Sequence, residues 1–363
     1  MVSNFGVVDL IIYANNFCNA HCGFCDVTRV DYETQTALGI GRPLVGSPVY
    51  MKTELFKKII EDPLFQDKKI SVNFLMTEPL LSKNIGEMLS LSKSKNFINK
   101  VTTNGFLLEK RADVIYDKID HLQVSIDGPQ DLHDSIRGKN FFARAIQGIK
   151  VIKNLNPKVL LEINVTITSV NYLRLFELLK YLDNIKDDNN NKVEIAEVRF
   201  QFIDFVSEKM SEEQSKYFPT IPQSVSTIDD VDYLDIDIDK LYDELENIRL
   251  YKSKNIKKIT SKPKMNDKKM LQKHFDKNGP TLGLNNKCHT PYTQIAVNTS
   301  GSVYWHMRCF NNYVLGNINI KPLKEIWIDE KAKHFREQFE KSDFCFPACT
   351  RCCGLMETHA IKG

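Results

Sequence analysis

Residues 7–25 read VVDLIIYANNFCNAHCGFC and combine an apolar run with three closely spaced cysteines. Its first part, 7–14, is an apolar run rich in β-branched residues, which predicts a buried strand. A polar loop that carries Cys18, Cys22 and Cys25 follows directly. In folds built from parallel strands and helices, catalytic groups stand in the loops at the carboxyl ends of the strands. The stretch therefore predicts both a parallel sheet and the position of a site at its edge.

The rest of the N-terminal half repeats this arrangement of strand and helix. Strands are predicted at 7–14, 70–76, 100–103, 121–127, 160–168 and 194–202, and helices at 53–61, 85–94, 108–116, 141–154 and 172–183. Six such repeats imply parallel strands joined by right-handed crossovers. This pattern predicts an α/β fold, either an open sheet or a partial or complete barrel.

Composition excludes several classes of protein. The 363 residues are 42% hydrophobic and 26% charged, which is ordinary for a globular chain. A net charge of +3, from 49 basic and 46 acidic residues, gives no reason to expect nucleic acid or an anionic membrane as a partner. No apolar run approaches the roughly 18 residues of a membrane span. The N-terminus lacks the basic region of a signal peptide, so we expect a cytoplasmic protein.

The nine cysteines fall into two tight clusters with none between Cys25 and Cys288. An odd number without a secretory signal argues against a disulfide framework, and the clustering argues for thiolate metal sites. The N-terminal spacing, Cys18-x3-Cys22-x2-Cys25, suits zinc or an iron–sulfur cluster. Structural zinc needs four closed ligands, whereas three cysteines on a 4Fe–4S cluster leave one iron open. The cluster is favoured over zinc, with inert thiols as the third interpretation.

Residues 205–287 differ from what precedes them. An acidic stretch at 229–239 is followed by a basic stretch at 252–269. We interpret this segment as a charged helical linker or insertion, with a lid over the substrate or a partner as the alternative. The predicted organisation is a barrel at 1–204, this linker at 205–287, and a cysteine-rich domain at 288–363.

With its three-cysteine loop after the first strand, the chain resembles the radical S-adenosylmethionine (SAM) enzymes. Further family landmarks follow at successive strand ends, namely Met76-Thr77-Glu78-Pro79 where the family has Gly-Gly-Glu-Pro, Thr103-Asn104-Gly105, Ser125-Ile126-Asp127-Gly128, and His133-Asp134-Ser135-Ile136-Arg137-Gly138. The resemblance covers about residues 5–203. It implies a partial (β/α)6 TIM-like barrel that holds a 4Fe–4S cluster and SAM.

The resemblance also implies roles for individual residues. Cys18, Cys22 and Cys25 would bind the cluster. The residues implied to contact SAM are Phe24, Thr77, Glu78, Asn104, Ser125, Asp127, Arg137, Asn164 and Val198. Both glycines that precede the glutamate in the family are missing here. This departure affects the expected path of the backbone before Glu78 and not the role of its carboxylate.

The C-terminal part resembles the SPASM and Twitch domains, which bind auxiliary iron–sulfur clusters. Cys288-x12-Gly301 matches the opening hairpin, and LGNINIKPLKEIW at 315–327 matches a later link. The next expected cysteine position holds His306, with Cys309 three residues later, and Cys309 is favoured as the ligand. The preferred ligand set is Cys288, Cys309, Cys349 and Cys352. Cys345 and Cys353 are then spare or belong to a second cluster, and a zinc ribbon is the alternative.

The implied reaction is reductive cleavage of SAM to a 5′-deoxyadenosyl radical that abstracts hydrogen from a substrate carbon. An auxiliary 4Fe–4S cluster would accept an electron and give net oxidation. Alternatively, a thiol would return a hydrogen and give epimerisation, with Cys309, Cys345 and Cys353 as candidate donors. A flavodoxin- or ferredoxin-type protein is the expected electron donor.

The substrate is the least determined part of this interpretation. The first strand starts within about ten residues of the N-terminus, so we expect no leader-binding module before it. That favours a small molecule, such as a sugar or an aminoglycoside-like intermediate. The alternatives are a peptide presented by a partner and, in another class, a non-enzymatic zinc-binding protein.

Overall fold

The alternating apolar runs form a single sheet that extends through both parts of the chain. The computed structural model describes residues 7–25, 48–224, 234–262, 267–276, 287–307, 310 and 312–352. Its strands are β1 Asp9–Ile12, β2 Ser71–Phe74, β3 Ile98–Thr103, β4 His121–Ser125, β5 Leu160–Ile167, β6 Glu197–Phe202, β7 Ile259–Lys262, β8 Gln294–Val297, β9 Ser302–Tyr304 and β10 Gly316–Asn317. The strand order is β10-β9-β8-β1-β2-β3-β4-β5-β6-β7, and the sheet does not close on itself.

Helices cover one face of this sheet. They are α1 Thr53–Ile60, α2 Ile85–Ser94, α3 Leu108–Ile115, α4 Gln130–Arg137, α5 Phe141–Leu155, α6 Leu175–Leu182, α7 Glu208–Tyr217, α8 Ile238–Leu250, α9 Lys268–Phe275, α10 Thr290–Thr293, α11 Leu323–Ile328 and α12 Glu330–Lys341. Among the helices of the described residues, none combines the length and apolarity needed to cross a bilayer.

Alternation along each strand separates two faces. In β5, Leu161, Ile163 and Val165 are buried in the main hydrophobic core together with helix residues such as Ile149 and Leu178. The residues between them point to the opposite, inner face of the partial barrel. Burial of each such aliphatic side chain stabilises the fold by about 1.5–3 kcal/mol. The outer face therefore supplies the core, and the inner face is left for a site.

The predicted α/β class and partial barrel are confirmed. Strands β1 to β6 run parallel to one another, and each lies within a few residues of its predicted range. Among the elements that were not predicted, two belong to or adjoin the barrel. Residues Gln130–Arg137 form α4, and Ile259–Lys262 form β7, which pairs in parallel with β6. The polar tetrapeptide ITSK has too few apolar residues to register as a strand.

The C-terminal part joins the barrel through backbone pairing. Strand β8 lies parallel to β1, with Asp9 opposite Gln294, and continues into an antiparallel hairpin with β9. Gly301 closes the turn of this hairpin with φ of 83°, a conformation that favours glycine. The buried carboxylate of Asp62, in the connection between α1 and β2, also accepts the backbone N–H of Leu323 at 2.7 Å. The sheet thus runs without a break from one part to the other.

Replacement of Gly105 should destabilise the barrel. Gly105 has φ of 79°, and a Cβ at this position would lie 2.6 Å from the Cβ of Ala145 on α5. We expect Gly105→Ala to lower the free energy of unfolding by about 2–5 kcal/mol, measured by urea denaturation. Gly128→Ala is the control, because its nearest neighbour would be the Leu132 Cβ at 3.1 Å. Equal losses in the two variants would contradict this interpretation.

Candidate active site

The three N-terminal cysteines lie together in the loop after β1. Cys22 is buried, whereas Cys18 and Cys25 are half-buried. All three pack into one apolar cluster with Phe24, and that cluster also contains Ala20, Phe106 and Phe141. The backbone N–H of Ala20 points at the Cys18 Sγ at 3.4 Å. The loop therefore presents its thiols in an apolar pocket at the carboxyl end of the first strand.

Burial controls the chemistry of these thiols. It raises the pKa of Cys18 to about 12, and the nearby carboxylate of Glu78 adds to the effect. Burial also raises the pKa of Cys22 to about 12, although the positive charge of Arg137 opposes this. A metal centre supplies the positive charge that buried thiolates need, because coordination deprotonates a thiol outright. Three thiols grouped in one apolar cluster thus fit an iron–sulfur cluster.

A single metal ion fits the described residues less well. Within those residues, no group of three or more His, Cys, Asp or Glu side chains is arranged to hold one ion. His21, which lies between Cys18 and Cys22 in the sequence, is exposed to solvent. A 4Fe–4S cluster holds its thiolates farther apart than one zinc ion does. The arrangement therefore does not match a mononuclear zinc site at this loop.

Glu78 follows β2 and is completely buried. Its carboxylate accepts hydrogen bonds from Thr103 Oγ1 at 2.8 Å, from the Asn104 N–H at 2.8 Å and from the Leu80 N–H at 3.0 Å. Burial raises the pKa of Glu78 to about 7, and these hydrogen bonds oppose that rise. Asn15 Nδ2 also donates to the Glu78 backbone carbonyl at 2.7 Å. Glu78 thus ties the ends of β2 and β3 to the cysteine loop.

A second buried network lies at the ends of β4 and β5. Arg137 Nε donates to Asp127 Oδ2 at 2.6 Å, and the Thr166 N–H donates to the other oxygen at 2.9 Å. Burial opposes the positive charge of Arg137, but Asp127 and the thiols of Cys22 and Cys18 outweigh it and raise the pKa of the guanidinium. A permanent cation is therefore held close to the cysteine loop.

His133 completes this network in its neutral form. Its Nδ1 accepts the backbone N–H of Asp127 at 3.0 Å, so the proton is on Nε2, which has no hydrogen-bond partner among the described residues. Burial and the neighbouring Arg137 lower the pKa of His133 to about 4. Asn171 Nδ2 donates to the carbonyls of Asp127 and Thr166 at 2.5 and 2.7 Å. The backbone N–H and carbonyl of Asp127 are therefore held as well as its carboxylate.

The remaining predicted SAM contacts divide between the two faces of the sheet. Ser125 pairs in register with Asn164, and Asn164 with Arg199, so these three stand level across β4, β5 and β6. Val198 is fully buried in the core on the helix side. Its neighbour Arg199 faces the inner side, where it lies 3.4 Å from Glu162 and 3.3 Å from Glu197.

The described C-terminal cysteines form a second group. Burial raises the pKa of Cys345 to about 12, with further contributions from the nearby Cys288 and Cys352. Cys349 is buried, and its carbonyl accepts the Cys352 N–H at 3.0 Å. The structure therefore brings Cys345, which the sequence had left spare, beside two of the preferred ligands. Cys309 and Cys353 lie outside the described residues.

His306 lies near the start of β1. Burial lowers its pKa to about 4, and the charge that opposes this is Asp9 at the start of β1. This placement follows from the hairpin register, because β9 continues antiparallel to β8 and β8 is paired with β1. His306 therefore lies toward the amino end of β1, whereas the N-terminal cysteine loop follows its carboxyl end.

Comparison with known proteins identifies both parts of the chain. The profile of the radical SAM superfamily matches residues 12–182, and that of SPASM, an iron–sulfur cluster-binding domain, matches residues 288–353. The chain is a radical SAM protein with a SPASM domain. The two domains imply a 4Fe–4S cluster that binds SAM, SAM itself, and auxiliary iron–sulfur clusters. The expected family and cofactors are confirmed.

Solved structures support the fold of this radical SAM protein. Streptococcus suis SuiB bound to S-adenosylmethionine is similar with a TM-score of 0.61 and 16% identity, over 97% of this chain and 72% of SuiB. The structure of anSMEcpe with bound AdoMet is similar with a TM-score of 0.58 and 18% identity, over 96% of this chain and 85% of anSMEcpe. No curated protein sequence matches the chain.

Several residues of this radical SAM site had not been found in the sequence. Asn15, Thr103, His133 and Asn171 position the groups that the motifs had indicated, and they contact no thiol directly. Thr103 and His133 stand inside quoted motifs, so their positions were available but not their roles. Asn15 offered one signal, a polar residue directly after a buried strand.

Loss of the buried cation should destabilise the chain far more than loss of an exposed one. Arg137→Met leaves the fully buried Asp127 unpaired, so we expect a loss of about 3–5 kcal/mol in the free energy of unfolding. The control is Arg174→Met, because Arg174 pairs with Asp131 and Glu177 at the surface, where the loss should be about 0–1 kcal/mol. Urea denaturation of the metal-free chain measures both, and a similar loss in each would contradict the assigned role.

Proposed function

We propose that this chain reductively cleaves SAM to a 5′-deoxyadenosyl radical, which abstracts hydrogen from a carbon of a small polar substrate. The observation that carries the proposal is a convergence at one edge of the sheet. Glu78 lies close enough to Cys18 to raise the pKa of that thiol. Arg137 lies close enough to Cys22 to lower the pKa of that thiol, and both thiols raise the pKa of Arg137. Three thiols, a buried carboxylate and a buried cation are suited to hold a cluster and a zwitterionic cofactor.

The chain's own residues supply binding and position. Cys18, Cys22 and Cys25 would bind the cluster through three thiolates. Arg137, fixed by Asp127, would offer its remaining N–H donors to a carboxylate or hydroxyl of SAM. Glu78 would accept from the amino group of SAM, since its Oε2 takes one hydrogen bond from the chain. Ser125 and Asn164 stand level on the inner face and would contact the ribose or the adenine, beside the backbone of Val198.

The inner face of the barrel supports a polar substrate. In closed barrels this face is filled mainly by branched aliphatic residues. Here it carries a row of polar and charged residues, which we name the inner polar row: Asp9, Asn73, Lys100, His121, Gln123, Glu162, Glu197 and Arg199. Their charged side chains remain partly exposed, from 10% for Glu197 to 37% for Lys100. Such a surface is accessible to water and to a polar ligand.

The charges of the inner polar row compensate one another. Lys100 lies 3.9 Å from Asp9, and His121 lies 3.7 Å from Glu162. Arg199 stands between Glu162 and Glu197. The row therefore offers many hydrogen-bond donors and acceptors with little net charge. Asp9, His121 and Glu197 open their strands, so a substrate that contacts this row would extend into the barrel from the carboxyl ends. The row supports a substrate with several hydroxyl or amino groups, such as a sugar or an aminoglycoside-like molecule.

The position of Cys345 supports net oxidation over epimerisation by this thiol. We propose that Cys345 binds the auxiliary cluster with Cys288, Cys349 and Cys352, since it lies with Cys288 and Cys352. A cluster ligand is not available as a hydrogen donor. Cys309 and Cys353 remain candidates for either role, and His306, beside Asp9, is a weaker candidate ligand. The proposed electron donor is a flavodoxin- or ferredoxin-type protein.

A peptide is the second candidate substrate. Similar structures include SuiB bound to the precursor peptide SuiA and anSMEcpe bound to the Cp18Cys peptide. On this alternative, a partner would present the peptide to the inner face. For either substrate we propose a cytoplasmic location, because free thiols and thiolate-bound clusters suit a reducing compartment. The division at 1–204, 205–287 and 288–363 is likewise kept as a proposal.

Removal of the N-terminal thiols should abolish SAM cleavage and remove one cluster. After anaerobic reconstitution we expect about eight irons in the wild type and about four in the Cys18→Ala, Cys22→Ala, Cys25→Ala variant. 5′-Deoxyadenosine should form only with the wild type under reducing conditions. Transfer of deuterium from a labelled sugar or peptide into 5′-deoxyadenosine would identify the substrate class. Zinc in place of iron at this loop would contradict the proposal.

Replacement of Cys345 should separate the ligand role from the donor role. If Cys345 is a cluster ligand, the Cys345→Ala variant should contain about four irons where the wild type contains about eight. Cys352→Ala should show the same loss. Ser342→Ala, in the turn just before Cys345, is the matched control and should keep about eight. An unchanged iron content in Cys345→Ala would instead favour a hydrogen donor.

A further inference from the structure

Met76 has an unusual backbone conformation at the mouth of the barrel. Its φ is 81°, in the region that L-residues rarely adopt. Asn and Asp make up five of the seven non-glycine residues with positive φ in the described chain, and these residue types tolerate it. Met76 and Phe344 are the two with large apolar side chains. Such strain persists only where the surroundings impose it, and it concentrates at functional sites.

Hydrogen bonds on the C-terminal side of Met76 impose this conformation. Thr77 Oγ1 donates to the Asn15 carbonyl at 3.1 Å, and the Glu78 N–H donates to the Phe17 carbonyl at 3.4 Å. Asn15 Nδ2 in turn donates to the Glu78 carbonyl at 2.7 Å. The loop after β2 is thus fastened to the cysteine loop directly beyond Met76, and the strained residue cannot relax independently.

The Met76 side chain packs on the same apolar surface as the third cysteine. It is half-buried against a cluster of Ile11, Tyr13, Ala296 and Tyr304 on the inner face, and Cys25 packs against that cluster too. Methionine is flexible and polarisable, so it fills irregular gaps beside a ligand. The side chain therefore forms part of the wall next to Cys25.

We propose that Met76 is a positioning residue of the SAM site. Its strained backbone directs the thioether side chain onto the wall beside Cys25, where it excludes water from the cluster and limits the space left for SAM. The inference rests on the proposed role of the Cys18, Cys22 and Cys25 loop. It adds that the Met76 side chain fills space at this strained turn that a glycine would leave open.

The experiment separates binding from stability. Met76→Gly relieves the unfavourable φ, so the melting temperature of the metal-free chain should stay the same or rise by a few degrees. In the reconstituted protein, the Kd for SAM should rise about tenfold. The change that SAM causes in the electron paramagnetic resonance spectrum of the reduced cluster should shrink, and the cluster should bleach faster in air. Met76→Leu should restore most of the affinity.

Two control variants isolate the two properties of Met76. Val314→Ala removes apolar surface from the same cluster and should lower the melting temperature without changing the Kd for SAM. Asn96→Gly relieves a positive φ of 59° just before the amino end of β3, whereas Met76 follows the carboxyl end of β2. This variant should leave SAM binding unchanged. If Met76→Gly does not take up its cluster, Met76→Ala provides the same comparison.

The outcomes distinguish this inference from the proposed function. A lower melting temperature with unchanged SAM affinity in Met76→Gly would show that Met76 only packs. Tighter SAM binding in that variant would show that the side chain obstructs the site. Either result would overturn the role of Met76 and leave the proposed function intact. A wild type that holds its clusters but does not bind SAM would overturn both.

Discussion

The buried carboxylate of Glu78 holds the ends of three neighbouring strands in one arrangement. Its oxygens accept hydrogen bonds from Thr103 at the end of β3 and from Asn104 just beyond it, and its backbone carbonyl accepts one from Asn15 beyond β1. Removing a carboxylate from water is costly unless its oxygens find donors, so these donors and the carboxylate require each other. These hydrogen bonds fix the position of the cysteine loop, because Asn15 lies at the start of that loop.

Asp127 does for β4 and β5 what Glu78 does for β1 to β3. It fixes Arg137, whose charge lies close to the thiols, and it is itself held by the Thr166 N–H and by its own N–H bond to His133. The low pKa of His133 keeps the ring neutral, so it does not add a second positive charge. One buried carboxylate therefore organises the loop, and the other brings a cation to it.

The sequence predicted the parts of this design that depend on local pattern. Apolar runs located β1 to β6, and the residues just beyond them, such as Glu78 and Asp127, were correctly placed at strand ends. Pairing between distant segments was not predictable, because β7 and β8 are short and their partners are set by register over the whole sheet. The grouping of Cys345 with Cys288 and the position of His306 beside Asp9 were not predictable for the same reason, since both depend on contacts between distant segments.

Pairing of β8 with β1 has a consequence for how the two cysteine groups are related. Strand β1 leads into the N-terminal cysteine loop, and β8 is reached within six residues of Cys288. Hydrogen bonds between these two strands therefore connect both groups through the backbone of one sheet. The Asp62 carboxylate adds a second connection, since it binds the N–H groups of Leu323 and Lys324 at the start of α11. The net oxidation proposed for this chain would pass electrons between two centres at a fixed separation. The pairing of β8 with β1 and the hydrogen bonds of the Asp62 carboxylate hold the two parts of the chain together without a rigid linker.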